Sequence, residues 1–533
     1  MKQRSTLAVL MPLMLALALG TGIVIGYFSG GQRSLGTSTL FNRGVDPSEK
    51  IGQVIELIER DYVDSVERDR LTDEVIQDLL QRLDPHSYYL SPADMRTAVE
   101  PLEGSFVGIG VEFTIQRDTI VVISPLEGGP SAALGVMAGD RIISADDKNL
   151  AGIGITNDQV MDHLRGPEGS VVKIGLLRNG KRKPFELEVK RGKVPIESVA
   201  AAIMTDATTG YIKVVRFAKT TTDEFADAAE KLLAQGMKRL VVDLRGNGGG
   251  YLDAAIHMAD EFLPDGATVV YTEGRNHPRR TDKATSMGVL EGIPVAILID
   301  EGSASASEIV AGAIQDNDRG VIVGRRTFGK GLVQEHRELP DSSAVRLTTA
   351  RYYTPSGRSI QKPYGEGIDY EEEFDQRHGE LLSADSIKVD SAQVFKTKSG
   401  RTVFGGGGIV PDVFVAADTA NASAYLSELI WTGALNQFAF DVADRERARL
   451  EKMGQQVYRE SFNAELLIPE LVRYAAKEDV PARVIDLARS RAVIAQRLKA
   501  AIARNIWGNE GYYPLALEND PAHKMAVQKL LVE

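Results

Sequence analysis

Two segments of the chain carry residues whose types suit a nucleophilic reaction. Ser305 lies in a run of alternating serine and alanine, GSASASE at residues 302–308, which opens a helical pattern. Lys330 lies between two glycines in TFGKGLVQ, residues 327–334, just after an apolar run. A serine hydroxyl needs a base to become a nucleophile, and a lysine can serve when burial favours its neutral form. The pair suits a serine peptidase that works without a catalytic histidine.

The serine segment also has an ordinary structural interpretation. Ser305 followed by Glu308 is the pattern of a capping box at the start of a helix. The small residues around Ser305 nevertheless leave space for a substrate carbonyl, and the backbone N–H groups at a helix start can hold an oxyanion. Both roles can coexist among the neighbouring serines, so the pattern alone leaves them open.

A second glycine-rich loop, DLRGNGGG at residues 243–250, follows an apolar strand pattern. It is either an ordinary strand-to-helix turn or a loop whose backbone amides face an anionic oxygen.

Another segment, Gly324 to Lys330, has the glycine and lysine spacing of a phosphate-binding loop, but this similarity is misleading. The residue after Lys330 is Gly331, where such a loop has the serine or threonine that holds magnesium. This argues against nucleotide binding.

The composition excludes several classes of protein. The chain has 533 residues, 26% charged and 43% hydrophobic, which indicates several globular domains rather than disorder. A net charge of -12 lacks the basic footprint of a nucleic-acid-binding protein. The absence of cysteine excludes disulfides, cysteine nucleophiles and thiolate metal sites. We predict no metal and no cofactor, since no histidine stands in a metal-ligand pair. A Ser-His-Asp triad through His257 or His336 stays open without a supporting motif.

Residues 1–32 predict a transmembrane anchor. Lys2 and Arg4 precede a charge-free stretch with an apolar centre at residues 7–28. As a helix rising about 1.5 Å per residue, that centre is long enough to span a bilayer core of about 30 Å. No convincing small-residue cleavage site precedes the polar residues 34–38, so we favour an uncleaved anchor, with secretion after cleavage as the alternative. The positive-inside rule then predicts that the remainder is exported.

The rest of the chain divides by pattern into four segments. They are a helical N-terminal segment at residues 45–100, a β-rich module at 101–192, an α/β core at 195–415 and a helical tail at 420–533. Within the β-rich module, residues 157–164 predict a single helix. Within the core, the acidic stretch 365–395 is expected to be a solvated loop. The pattern assigns no role to the tail.

The motifs together resemble those of the C-terminal processing peptidases, also called tail-specific proteases, over residues 45–415. The matching motifs are LSP at 90–92, DLRGNGGG at 243–250, GSASASE at 302–308, TFGKGLVQ at 327–334 and YYTPSGRSIQ at 352–361. This resemblance implies Ser305 as nucleophile, Lys330 as base and Gln334 as the residue that orients the lysine. It also implies oxyanion donors from the backbone, namely Ala306 with Gly248 or Gly249.

The β-rich module is similar to the PDZ domain of that family. FVGIGV at residues 106–111 would be its carboxylate-binding loop, in which the amides around Gly108, Ile109 and Gly110 receive the C-terminal carboxylate of a substrate. The peptide would add as a strand beside it. Arg165 is either a surface arginine or a link between the module and the active site.

The patterns and the resemblance predict a multidomain α/β and β protein: helical N-terminal segment, PDZ-like module, peptidase core of the tail-specific protease fold and helical tail. We expect a serine endopeptidase of the bacterial cell envelope, anchored in the inner membrane, with its catalytic part periplasmic or otherwise extracytoplasmic. Its partners would be proteins with apolar C-termini, and the tail would serve oligomerisation or an adaptor. The alternatives are a non-catalytic PDZ scaffold and a hydrolase of small esters.

Overall fold

A computed structural model describes residues 16, 18, 20–22, 47–126, 128–178, 181, 183–365, 367–419 and 421–532. The anchor predicted for residues 1–32 therefore falls almost wholly outside the described residues. Within those ranges, no helix combines the length and the apolar character needed to cross a bilayer. The chain divides into two units, residues 1–74 and 75–533. In the first, α1 (Pro47–Asp61) precedes α2 (Arg68–Gln81), which continues into the second.

A tight turn and a short strand follow α2. The carboxylate of Asp84 accepts the N–H groups of His86 and Ser87 and the hydroxyl of Ser87. Next come β1 (Tyr88–Leu90) and α3 (Pro92–Glu103). The hydroxyl of Ser91 caps α3 by accepting the Asp94 N–H, which explains the LSP motif. The segment predicted as helical at 45–100 contains β1 as well, within residues 84–92, where the helical pattern of the sequence is broken.

The β-rich module contains one six-stranded and one two-stranded antiparallel sheet and two helices. Its elements are β2 (Ser105–Gly108), β3 (Val111–Gln116), β4 (Thr119–Pro125), α4 (Pro130–Ala133), β5 (Arg141–Ala145), β6 (Lys148–Asn149), α5 (Asn157–Leu164), β7 (Val171–Leu177), β8 (Phe185–Lys190) and β9 (Gly192–Pro195). The strand order is β3-β4-β5-β7-β8, which places β3 at an edge. The structure confirms the predicted helix at 157–164, which Thr156 and Gln159 cap reciprocally.

The core segment contains strands and helices in alternation. In chain order they are β10 (Val199–Met204), β11 (Thr209–Val214), α6 (Thr221–Ala234), β12 (Arg239–Asp243), α7 (Leu252–Asp260), β13 (Thr268–Gly274), β14 (His277–Lys283), β15 (Val295–Ile299), α8 (Ala306–Asp316), β16 (Val321–Gly324), β17 (Leu332–Glu338), β18 (Ala344–Tyr353), α9 (Tyr370–Asp375), β19 (Val394–Lys396), β20 (Thr402–Phe404) and β21 (Val413–Phe414). These strands form two main sheets.

The first sheet has the order β10-β11-β12-β15-β16-β21 and is parallel from β11 onward. Its central strand β15 is apolar throughout, as expected of a parallel strand covered on both faces. On one face α6, α7 and α8 pack against residues such as Val242 and Ile297. The second sheet is antiparallel, with the order β1-β18-β13-β14 and β17 paired to β18. The catalytic candidates lie where the parallel strands end.

The acidic segment at 365–395 is not the solvated loop that its composition predicted. It contains α9 and two 3₁₀ turns, Gln376–Leu381 and Ala384–Ser386. Arg377 and Glu380 are buried. Arg377 donates to the carbonyl oxygens of Thr327 and Phe328, both at 3.3 Å. This segment therefore packs directly on the loop that carries Lys330.

The tail is helical, as predicted. Its helices are α10 (Ala424–Trp431), α11 (Ala434–Met453), α12 (Gln455–Ser461), α13 (Ile468–Lys477), α14 (Val484–Leu517, broken at Gly508) and α15 (Pro521–Leu530). Most of them enclose their own apolar core. The last helix differs, because Ala522, Ala526 and Leu530 pack with Val241 and Leu298 on the second face of the parallel sheet. The tail thus completes the core.

Candidate active site

Ser305 is the N-terminal cap residue of α8, which follows β15 across a tight turn. Its backbone has φ 57° and ψ -112°, a left-handed conformation that is uncommon for a residue with a side chain. The carboxylate of Asp300 holds this turn by accepting the N–H groups of Gly302 and Gly246. Ser305 thus sits on a strained strand-to-helix turn, where strain is retained only if the surroundings enforce it.

The three serines of the motif have different environments. Ser303 and Ser307 are fully buried, and their hydroxyls donate to the carbonyl oxygens of Leu244 and Asn247, each at 2.8 Å. Ser305 is only partly buried. The hydroxyls of Ser303 and Ser307 are therefore engaged in holding the turn, and Ser305 is the one whose side chain a substrate can approach.

The glycine loop at residues 243–250 lies against Ser305. The carbonyl oxygen of Asn247 accepts the Ala304 N–H at 3.0 Å, which joins the two loops. A Cβ added to Gly249 would stand 2.8 Å from the Ser305 Cβ and 3.0 Å from the Ala306 nitrogen, so only glycine fits there. The Gly249 N–H itself donates to the Asn247 side chain at 2.9 Å. Of the two glycines that the sequence left open, Gly249 thus has its N–H already engaged within the loop.

The carboxylate of Glu308 joins the serine turn to the lysine loop. Its Oε2 atom accepts the backbone N–H of Ser305 at 2.8 Å and that of Lys330 at 2.9 Å. Its Oε1 atom accepts the Gly329 N–H at 2.8 Å and the Thr327 hydroxyl at 2.5 Å. The side chain is fully buried, and burial raises the pKa of Glu308 to about 7 against these hydrogen bonds. The capping pattern is therefore real, and it links the two candidate residues.

Lys330 lies in the loop between β16 and β17 and is partly buried. Burial lowers the pKa of Lys330 to about 8, and the nearby Arg346 guanidinium acts in the same direction, while Glu308 and Asp84 oppose it. The hydroxyl of Tyr352 donates to the carbonyl oxygens of Lys330 and of Ser305, the latter at 3.1 Å. A lysine with a pKa of about 8 is neutral in about one tenth of the molecules at pH 7 and in about half at pH 8, so it can serve as a general base there.

Three residues near Lys330 were not among the candidates named from the sequence. Asp84 and His86 belong to the turn before β1, and Arg346 lies on β18, which pairs with β1. Burial, reinforced by the charge of Lys330, lowers the pKa of His86 to about 4, and its Nε2 lies 3.0 Å from the Tyr370 hydroxyl. These residues are far from Lys330 in the sequence, so no local pattern connects them to it. The turn motif around Asp84 is the one signal that could have pointed to Asp84 and His86.

The structure places the remaining candidates as follows. Gln334 on β17 donates to the Thr348 hydroxyl at 3.4 Å, and that hydroxyl donates to Asp84. Its predicted role toward Lys330 stays a prediction. The described hydrogen bonds of Ser305 involve neither His257, exposed on α7, nor His336 on β17. Within the described residues, no cluster of His, Asp or Glu side chains could hold a metal ion.

The candidate peptide-binding loop connects β2 to β3. The carbonyl oxygens of Ile109 and Gly110 accept N–H groups of Ser131 and Leu126, which leaves the loop braced from inside the module. Gly108 closes the pairing of β2 with β9. Arg165 pairs with Glu100 at 2.6 Å and lies over the Phe106 ring, so it links this module to α3. A link from Arg165 to the active site stays a prediction.

Comparison with known proteins gives matches over most of the chain. Sequence profiles match Peptidase family S41 at residues 208–374, a PDZ domain at 107–189 and a family of unknown function, DUF8443, at 425–508. The chain is 37% identical over 318 residues to the carboxy-terminal-processing protease of Bartonella bacilliformis, covering 58% of this chain and 72% of that protein. It is 33% identical to the carboxy-terminal processing protease CtpA of Bacillus subtilis, covering 62% and 69%.

Among solved structures, the photosystem II D1 C-terminal processing protease is similar, with 27% identity, a TM-score of 0.36, and coverage of 70% of this chain and 95% of that one. The sequence matches and the architecture define a serine-type peptidase with a PDZ domain. The chain belongs to the carboxy-terminal-processing proteases of peptidase family S41. The resemblance found in its motifs is confirmed.

Proposed function

We propose that Ser305 is the nucleophile and Lys330 the general base of a peptidase that selects its substrates by their C-termini. One observation carries the proposal: a single oxygen of the buried Glu308 accepts the backbone N–H of both residues. Two loops that are remote in sequence are thereby held in one place. The pKa of Lys330, lowered to about 8 by burial, supports its role as the base.

The proposed reaction begins with proton transfer from the Ser305 hydroxyl to neutral Lys330 as the serine oxygen attacks the scissile carbonyl carbon. The N–H groups of Ala306 and Gly248 stabilise the resulting oxyanion. Lys330 then protonates the leaving amine, the C–N bond breaks, and an acyl-enzyme remains. Water, deprotonated by Lys330, hydrolyses the ester and restores Ser305. Gln334 orients Lys330 indirectly, through the Thr348 hydroxyl to which it donates and which in turn donates to Asp84.

Delivery of the substrate falls to the PDZ domain. Because β3 is at the edge of its sheet, an extended peptide can pair with it along the open side. The peptide's carboxylate would meet the amides of Gly108, Ile109 and Gly110. An apolar last side chain suits the neighbouring core, against which Phe113 and Ile115 pack.

The catalytic assignment is tested with Ser305→Ala and Lys330→Ala in the full chain, using an unfolded protein with an apolar C-terminus. We expect a loss of at least about 1,000-fold in kcat/KM for each, since removal of a nucleophile or its base abolishes the covalent route. Lys283→Ala, an exposed lysine on β14, is the control. Cleavage that persists in both variants would contradict the assignment. No cleavage even by the parent protein would favour a PDZ scaffold.

Substrate selection is tested by binding labelled peptides that end in an apolar residue, either as free acids or as C-terminal amides. We expect binding of the free acid alone. Gly110→Ala should weaken that binding, because φ is 76° and the new Cβ would stand 3.1 Å from the Gly129 backbone. Gly135→Ala is the matched control: its φ is 75°, and nothing lies within 4 Å of the new Cβ. Equal binding of acid and amide would exclude carboxylate capture.

We also propose that residues 1–32 anchor the protein in the inner membrane of a bacterial envelope, with the catalytic part outside the cytoplasm. The support is the charge-free apolar stretch behind Lys2 and Arg4. Without added protease the protein should be found in the membrane pellet, and protease added outside spheroplasts should degrade its catalytic part. Recovery of the protein in the soluble periplasmic fraction would favour cleavage and release.

A further inference from the structure

The Glu308 carboxylate contacts only hydrogen-bond donors. Two backbone N–H groups meet Oε2, and a third N–H and the Thr327 hydroxyl meet Oε1. The Thr327 hydroxyl has its own donor, the Ile409 N–H at 2.6 Å, so its proton is free to point at Glu308. A protonated carboxyl would direct its own O–H at one of these donors. The site is therefore built for the ionised side chain.

The same carboxylate holds the strained backbone of the nucleophile. A serine at φ 57° and ψ -112° is held in a sparsely populated conformation that costs free energy relative to an ordinary one. The bond from the Ser305 N–H to Oε2 opposes relaxation of that conformation. The bond from the Lys330 N–H to the same atom fixes the base relative to it. Loss of the charge would weaken both bonds at once, because hydrogen bonds to an ionised acceptor are roughly twice as strong as neutral ones.

We propose that Glu308 is a positioning residue of the peptidase, and that only its ionised form holds Ser305 and Lys330 in the geometry for proton transfer. The inference rests on the proposed roles of Ser305 and Lys330. It adds the ionisation of Glu308 to the deprotonation of Lys330 as a second requirement for activity. The active enzyme then carries a carboxylate at Glu308 and a neutral amine at Lys330. Each protonation removes activity in a different way. Protonated Lys330 cannot accept a proton from Ser305, and protonated Glu308 no longer holds Ser305 and Lys330 in position.

The surrounding groups leave these two ionisations as the ones that matter near neutral pH. Facing Glu308 are the phenols of Tyr352 on β18 and Tyr370 on α9, whose pKa values burial raises. Facing Lys330 are Arg346, Asp84 and His86, and the pKa of His86 is lowered to about 4. The raised pKa values of the two phenols and the lowered pKa of His86 keep these three groups in one charge state between about pH 5 and 9. Glu308, with a pKa of about 7, and Lys330, with a pKa of about 8, titrate inside that window.

The pH profile of kcat/KM distinguishes one required ionisation from two. If both must be deprotonated, log kcat/KM rises with a slope approaching 2 below about pH 7 and a slope near 1 between the two pKa values. In Glu308→Gln the slope below pH 7 should be 1. Its acid limb should also move to lower pH, because the lost negative charge no longer raises the pKa of Lys330.

The experiment compares the parent, Glu308→Gln, Glu308→Ala and Glu301→Gln, with thermal unfolding as a folding check. Glu301 lies in the same turn but pairs with Arg325, so its variant is the matched control. Labelling of Ser305 by a fluorophosphonate reports its nucleophilicity without peptide binding. We expect labelling to slow about 10-fold in the glutamine variant, which keeps one oxygen, and about 100-fold or more in the alanine variant, as misplaced reacting groups do.

Each outcome decides the inference. A glutamine variant that is folded but slow, with the parent's slope of 2 and unmoved midpoint, would make Glu308 merely structural and overturn it. A parent profile with slope 1 throughout would overturn the second ionisation. If the alanine variant does not fold, the parent and glutamine profiles still decide. If Glu308 variants label normally while Ser305→Ala and Lys330→Ala are inactive, the inference fails and the catalytic assignment stands. Peptidase activity in Ser305→Ala would contradict both the inference and the catalytic assignment.

Discussion

At the scale of single residues, the chemistry depends on side chains that change the protonation of Lys330. Burial alone favours the neutral amine, and Arg346 adds a like charge that disfavours the protonated form. Asp84 and Glu308 act against it, so the pKa of about 8 is a balance of opposed effects. Arg346 reaches this place because β18 pairs with β1, which brings its guanidinium beside the Tyr88 hydroxyl at 2.9 Å.

Arg346→Gln should move the acid limb of the pH profile to higher pH. Removing a cation near Lys330 stabilises the protonated amine, so its pKa rises and less of the base is neutral at pH 7. We expect kcat/KM at pH 7 to fall about 3- to 10-fold and to approach the parent value above about pH 9. Arg337→Gln, on the exposed side of β17, controls for charge. A loss that is equal at every pH would mean that Arg346 acts through structure alone.

The sequence predicted the reactive pair but not its setting. Ser305 could be chosen over Ser303 and Ser307 only through the family spacing, whereas in the structure burial and the partners of the other two hydroxyls make the distinction. The capping pattern at Glu308 was visible, yet its bond to the Lys330 N–H was not. A carboxylate shared by two loops that are remote in sequence leaves no local periodicity from which to predict it.

At the scale of elements, the acidic segment has a structural task that its composition concealed. Arg326 pairs with Glu380 at 2.6 Å, and Arg377 pairs with Glu373 at 2.7 Å. These charged side chains are therefore largely removed from solvent as ion pairs, which the composition of the segment does not show. Lys362 is buried as well, and it donates to the Tyr370 carbonyl. The segment clamps the loop between β16 and β17 from outside and so restrains the backbone of Lys330.

Arg377→Ala should lower kcat more than it changes KM. The variant removes the two bonds to the Thr327 and Phe328 carbonyl oxygens and leaves Glu373 with one fewer partner, so the lysine loop loses its outer support. We expect kcat to fall about 10-fold, with KM within about 2-fold, because substrate recognition is elsewhere. Gln376→Ala, the exposed neighbour, should behave as the parent. A rise in KM at constant kcat would instead assign Arg377 to substrate binding.

At the scale of the molecule, the parallel sheet needs the tail to cover its second face. The strand and helix alternation predicted the sheet and the helices α6 to α8, because hydrophobic runs separated by amphipathic stretches mark such folds. It did not predict the antiparallel sheet, whose strands β14 and β17 carry several charged residues, most of them at exposed positions. Nor did it show that α15, far along the chain, returns to pack on β15 and β16.

A network of buried polar side chains connects the tail to the parallel sheet. The Asp243 carboxylate accepts the Tyr211 hydroxyl and pairs with Lys213 and Arg245, and Arg245 in turn pairs with Asp520 at 2.8 Å just before α15. These charges lower the pKa of Asp243 well below its usual range. The tail is therefore connected to the strand that leads into the glycine loop, although no catalytic candidate lies in it.

Leu530→Ala should destabilise the peptidase core, while Leu531→Ala should not. Leu530 is 3% exposed and packs with the sheet residues, whereas Leu531 next to it is 61% exposed. A buried leucine truncated to alanine costs about 2–5 kcal/mol through lost burial and the cavity left behind. Urea unfolding, followed by labelling of Ser305, would measure the effect on the core itself, and Leu531→Ala should keep the parent's midpoint. If Leu530→Ala unfolds the tail at lower urea while Ser305 labelling keeps its midpoint, α15 is a separable attachment and the sheet is stable with that face uncovered.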